Sequence, residues 1–299
     1  MQTSLRLPLL VAALHLLAAC SGQPGAPDAS SDARVSPAPR VICDGSDDLR
    51  VMVAAVEPSS ERLFEGHRVL FENGSYVLVD GHCRFWVKPA ENMFEEVRSG
   101  VLDTATLAEF IADLRYDDWP ALQGSYPSDP SVEGVEDLIF VDRETSVTCV
   151  SNCLLTSTPA EVVAMREAQS LWNARLWAAG VAVTGDVRVS VLEYLRNASW
   201  TESWPPGHWS ASVSLDTLAV PPDGWATVDY GEGALLTGAD ADALRALRAD
   251  YLRRAPDGFA VIPGASIAVQ DGTGPIYFVN VRDTTPFEDA RGLVSWLSR

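Results

Sequence analysis

Short apolar runs separated by turn dipeptides fill the chain after Val41 and predict strands, with helical spacing setting in later. Leu49–Val56 reads as the first strand. Arg68–Glu72 and Ser75–Val79 flank Asn73-Gly74, a dipeptide that accepts the positive φ angles of a tight hairpin. Asp80-Gly81 repeats the signal ahead of Cys83–Val87, so an antiparallel meander is expected there. The period then changes. Leu107, Phe110, Ile111 and Leu114 fall on one face of a helix over Thr104–Arg115 that Asp103 is placed to cap. Ile139–Val150 reads as two further strands. In Thr158-Pro159-Ala160-Glu161 the Thr caps, the Pro suits the first turn and the Glu reaches back to the cap amide, which opens the longest helix; Gly180 ends it.

The second half replays this order. Asp48-Leu49-Arg50-Val51-Met52-Val53 and Asp186-Val187-Arg188-Val189-Ser190-Val191 agree at four of six positions. Trp225–Tyr230 corresponds to the strand at Tyr76–Asp80, and a helix over Ala239–Arg253, with Leu244, Leu247 and Tyr251 inward, corresponds to Thr104–Arg115. Ile139–Asn152 aligns without gaps on Ile267–Asn280, and Thr285-Pro286-Phe287-Glu288 repeats the opening at Thr158. The expected fold class is therefore α+β: mainly antiparallel sheets with helices packed on one face, as a tandem duplication of a β-rich two-helix module at 41–180 and 181–299. The two copies would meet along an apolar surface near Trp172 and Trp296. One continuous α+β domain whose halves agree only in local pattern is the alternative.

The N-terminus has a different character. Arg6 precedes an apolar stretch, Leu7–Leu17, interrupted only by Pro8 and His15 and too short to span a bilayer, and the small residues Ala18-Ala19 follow. Leu17-Ala18-Ala19-Cys20 resembles the lipobox of bacterial lipoproteins, and together with the start at Ile42-Cys43-Asp44-Gly45-Ser46 the organisation resembles uncharacterised exported bacterial lipoproteins. The resemblance implies that residues 1–19 are a signal peptide and that Cys20 is acylated, with palmitate among its chains, and anchors the protein in a membrane. Two acyl chains hold stably where one is marginal, because each buried methylene contributes about 0.8 kcal/mol. Ser21 implies sorting to an outer membrane, facing periplasm or exterior. The resemblance covers about the first eighty residues, and no activity travels with it. Residues 20–40, rich in Gly, Pro, Ala, Ser and Asp, have little to bury and read as a disordered tether with a reach of about 25 Å.

The formal charge of −19 becomes −20 once residues 1–19, which carry Arg6 and no acid, are removed. Such a chain repels nucleic acid and anionic surfaces, so the expected partners are a membrane through the lipid, and an envelope protein or polysaccharide. Of five cysteines, four remain after Cys20: Cys43, Cys83, Cys149 and Cys153. In an exported protein an even count reads as two disulfides. Three pairings are open, and Cys43 with Cys83 and Cys149 with Cys153 are favoured, since the first two sit on strands and the second two close a small loop. A zinc site is the other reading, though no second matching pair accompanies Cys149 and Cys153.

Motifs of catalysis are missing from the sequence. His67, His82 and His208 stand apart, and the runs expected of metalloproteases, serine hydrolases or phosphate-binding loops do not occur, so no cofactor is implied. Asp44, Asp47 and Asp48 form an acidic knot that lacks the alternation of a calcium loop. In the segment Trp200–Trp209, the indoles of Trp200, Trp204 and Trp209 beside Pro205-Pro206-Gly207 and His208 could present aromatic faces to a sugar or peptide, or plug the core. Arg245 and Arg248, one turn apart, form a candidate anion-recognising patch. The function expected is that of a lipid-anchored envelope protein that binds a partner protein or polymer without catalysis; the alternative is an envelope hydrolase using paired carboxylates.

Overall fold

Leu49–Val56 forms strand β1, buried at seven of its eight positions, and a strand apolar on both faces must lie in the interior of a sheet covered on both sides. The computed structural model describes residues 40–56, 74–89, 96–127, 136–153, 155, 157–193, 206–220, 233–254, 267–270 and 274–288. β1 lies between β2 (Ser75–Asp80) and β6 (Asp137–Asp142), antiparallel to both. With β3 (Arg84–Lys88), β4 (Arg98–Val101), β5 (Gly124–Tyr126), β7 (Ser146–Cys149) and β8 (Val181–Ala182) they make an eight-stranded sheet in the order β5-β7-β6-β1-β2-β3-β4-β8. Only β5 with β7 is parallel in this sheet. A register irregularity between Leu49 and Val51 turns Leu49 onto the face shared by Met52, Ala54 and Val56.

Val51, Val53, Ala55, Val77, Val79, Phe85, Val87 and Phe140 make up the other face of the sheet. Helix α1 (Thr104–Asp113), the short α2 (Trp119–Leu122) and the long α3 (Ala160–Ala179) cover it. α1 begins at Asp103, whose carboxylate accepts from Thr106 N at 2.7 Å; that amide, more than any other group, holds the acid below the usual carboxylate range. Phe110 of α1 meets Trp172 of α3 edge to face, with ring centroids 5.2 Å apart. α3 ends at Gly180, whose amide returns to Leu176 O; a Cβ there would stand 3.0 Å from Arg98 Cβ, so α3 passes close over β4 and a larger residue would push the neighbour aside.

The second sheet has the order β10-β13-β14-β9-β11, from β9 (Val187–Glu193), β10 (Gly207–His208), β11 (Ala219–Val220), β13 (Ile267–Gln270) and β14 (Ile276–Asp283), with β12 (Ala234–Leu236) also paired to β9. Between its strands lie α4 (Leu215–Leu218) and α5 (Gly238–Arg254). Leu244, Leu247 and Tyr251 of α5 pack on Val187, Val189, Val191, Val279 and Val281. The fold is α+β with two mostly antiparallel sheets, and residues 39–299 form one compact unit. Among the described residues no helix is long and apolar enough to cross a membrane.

Several local expectations are corrected. Residues 68–73 lie outside the described residues, but both edges of β2 are taken, by β1 and β3, so β1 occupies the place expected for a hairpin partner across Asn73-Gly74. Thr158 does not cap α3; its hydroxyl donates to Cys153 O at 3.2 Å, and Pro159 holds the cap position without a side-chain bond. Val181–Ala182, expected to open the second module, pairs with Arg98–Ser99 in the first sheet. The gapless match of Ile139–Asn152 on Ile267–Asn280 equates β6 with β13, yet the strand beside β1 is β6 and the strand beside β9 is β14. Hairpin order is thus reversed between the sheets, although β1 and β9 are both interior strands. Trp172 belongs to the helical layer and not to a surface between halves; Trp296 and the strand expected at Trp225–Tyr230 lie outside the described residues.

Both disulfides pair as favoured, Cys43 with Cys83 and Cys149 with Cys153, but neither Cys43 nor Cys83 lies on a strand: the bond joins the segment before β1 to the β2–β3 turn. Their sequence separations are 40 and 4, and the entropy removed from the unfolded chain grows with loop length. Replacing Cys43 and Cys83 by Ser should therefore cost about 4 kcal/mol against about 2 kcal/mol for the Cys149/Cys153 pair. Urea unfolding of the two double variants checks this order.

Candidate functional site

Asp283, the last residue of β14, has a fully buried carboxylate. It accepts from Arg245 Nε and Arg248 Nη2 of α5, each at 2.7 Å, and from the Val97 amide of the first sheet at 3.2 Å. Arg245 also donates to Gly185 O and Asp186 O, in the link between the sheets, and Arg248 to Val281 O. The two guanidiniums expected to recognise an external anion are thus turned onto an internal one. The i, i+3 spacing that put them on one helix face was legible; the acid they face was not, because it is 35 residues beyond Arg248.

A second buried acid follows five residues later. Arg188 and Arg282 stand directly opposite each other in β9 and β14, a like-charge pair that is unfavourable across strands. Glu288 joins both, with Oε1 2.7 Å from Arg282 Nη1 and Oε2 3.4 Å from Arg188 Nε, and accepts the Thr285 amide at 3.2 Å. That amide bond is half of the capping box read at Thr285-Pro286-Phe287-Glu288. Next to it Phe287 meets Trp86 of β3 edge to face at 5.2 Å. Burial, with the charge of Glu288 adding to it, raises the Tyr76 phenol on β2 above its ordinary value.

The aromatic segment is only partly described. Trp200 and Trp204 lie outside the described residues. Trp209 is buried in the core of the second sheet, its Nε1 donating to Val213 O at 2.7 Å, so it plugs the core. His208 is exposed on β10, and a Cβ on neighbouring Gly207 would stand 2.7 Å from Leu247 Cδ1, so that side chain would have to shift. The large exposed apolar side chains of the described residues are aliphatic: Val41, Val101, Leu171, Val181 and Leu235.

The acidic knot also has internal partners. Asp44 pairs with Arg50, Asp47 with Arg84 at 2.7 Å, and Asp48 with Arg143. His82 Nε2 lies 3.5 Å from Asp47. Three cations so placed oppose a bound calcium ion, and no group of three His, Cys, Asp or Glu among the described residues could hold a metal. Elsewhere the buried acids serve turns: Asp80 accepts from the His82 and Arg84 amides, Asp137 from Ser151 N, and Asp142 from Glu144 N, Thr145 N and Thr145 Oγ1. No protein family matches the chain, and neither does any curated protein or solved structure.

Asp283→Asn should cost about 3–5 kcal/mol in chemical denaturation, because it leaves two arginines facing a neutral amide in a buried site. Trp209→Ala should cost about 3–5 kcal/mol by loss of core volume, while His208→Ala stays within about 0.5 kcal/mol of wild type. Equal midpoints for the last two variants would return Trp209 to the surface.

Proposed function

We propose that this chain is a lipid-anchored cell-envelope protein whose folded body binds a partner protein or envelope polysaccharide and does no chemistry on it. The observation that carries the reading is how the buried carboxylates are used. Asp80, Asp137, Asp142, Asp283 and Glu288 each accept from backbone amides, and four of them also meet an arginine. A general acid or nucleophile for glycoside or acyl chemistry needs a carboxylate open to substrate, and groups saturated by fixed donors are poor candidates. The hydrolase alternative would have to use acids at the surface. Support for anchoring comes from Leu17-Ala18-Ala19-Cys20 and from disulfides that belong to an oxidising compartment.

Metabolic labelling with an alkynyl palmitate tests the anchor: wild type should take the label and partition with membranes, and Cys20→Ser should do neither. Equal labelling of both proteins would defeat the anchored reading. For the body, co-sedimentation with the insoluble envelope polymer should be saturable and release no soluble fragments; fragment release proportional to protein added would favour the hydrolase.

A further inference from the structure

Residues 40–48 are laid across one end of the first sheet. The register of β1 places its start beside Asp80 and Asp142, so the turns β2–β3 and β6–β7 both stand at that end. Arg40 reaches the β6–β7 turn, where it pairs with Asp142, donates to Thr145 Oγ1 at 3.1 Å and stacks over Tyr116 with its Cζ 4.7 Å from the ring centroid. Three residues on, Cys43 is bonded to Cys83 in the β2–β3 turn. The Gly45 amide donates to Gly81 O at 2.6 Å, and Gly81 N returns to Asp48 O at 3.1 Å. Two glycines permit this fit. Gly45 has φ +83°, and a Cβ on Gly81 would lie 2.7 Å from Ser46 O. The pairs Asp44 with Arg50, Asp47 with Arg84 and Asp48 with Arg143 then fix the segment to three separate strands or turns.

We infer that this segment is a strap that diverts tension on the N-terminal tether away from the central strands. The inference rests on the anchored reading, in which Cys20 is held in a membrane and the body holds a partner. A pull on residue 40 first meets the Arg40 clasp on the β6–β7 turn. If that gives, the load reaches Cys43 and crosses the disulfide directly to the start of β3. β1 and β2, which lie between Cys43 and Cys83, are out of the covalent path. Without the bond the same pull would run straight into β1, whose ladder bonds would open one after another from the N-terminal end.

Single-molecule force spectroscopy on the full, unlipidated chain, held through the Cys20 thiol and the C-terminus, tests the strap. Arg40→Ala, which keeps both disulfides, should lower the force of the first extension. Cys43→Ser/Cys83→Ser, with the Arg40 clasp intact, should keep that first force, lower the force of the second extension, at which β1 now peels, and lengthen the fully extended chain by about 140 Å, the span of 40 residues at roughly 3.5 Å each. A wild-type first force in Arg40→Ala, or a wild-type second force in the double variant, overturns the strap; where the double variant does not fold, Arg40→Ala decides. These forces do not depend on lipid, so an unlabelled Cys20 in cells would defeat the anchored reading alone, and unchanged forces with a labelled Cys20 would defeat the strap alone.

Discussion

Burial of both faces of β1 and β2 is the constraint from which the architecture follows. A one-faced sheet could be closed by α1 and α3 and left wet behind. Here Met52, Ala54, Tyr76, Leu78 and Trp86 are as buried as the residues under the helices, so a second cover is required. Phe287, from the turn after β14, packs into that face together with Val97 and Val141. Burying a Phe side chain contributes about 2–3 kcal/mol, which is lost if the second sheet moves away. The halves are therefore not independent modules joined by a linker; the second completes the core of the first.

Joining them brings polar groups inside, and the choice of arginine follows. Asp283 is satisfied by α5 and by the Val97 amide, while Arg245 also bonds the carbonyls of the inter-sheet link; a planar guanidinium with several donors reaches both a carboxylate and neighbouring carbonyls where an ammonium could not. Arg188 and Arg282 carry the polar face of the second sheet, and Glu288 makes their opposition tolerable by standing between them. Removing one member of such a set leaves the others buried and unpaired, which is why the set acts as a unit.

What was legible in the sequence was local. The span of β1, the Asp103 cap, the inward residues of α5 and both disulfide pairs follow from periodicity, capping chemistry and cysteine spacing, all of which act over a few residues or one closed loop. What misled was also local pattern, applied to long-range questions. Asn73-Gly74 is a fair hairpin signal, but β1, apolar on both faces, takes the edge of β2 that the expected hairpin partner would have used. Thr-Pro-x-Glu occurs at both Thr158 and Thr285, yet only Glu288 returns to the amide of its Thr. At Thr158 the neighbouring Cys153 carbonyl takes the hydroxyl instead. The internal partner of Arg245 and Arg248 was hidden for the same reason: two arginines on a helix face say nothing of an acid on a distant strand.

The acidity of the chain gains a different sense from these contacts. A net charge of −19 opposes compaction, and a spread of exposed acids alone would only keep the body soluble. The buried acids and the acids of the 40–48 segment are instead each set against an arginine or a row of amides, at turns, at the sheet junction and at the point where the chain enters the fold. Carboxylates placed in this way stiffen the positions where strands begin and end, and a body stiff at its strand ends keeps its edges and loops in register with whatever they meet. Under the proposed binding role, that suits recognition by a preformed surface better than a site that must open and close around a reacting molecule, and a partner surface then belongs on the outer edges and loops and not among the charged groups of the interior.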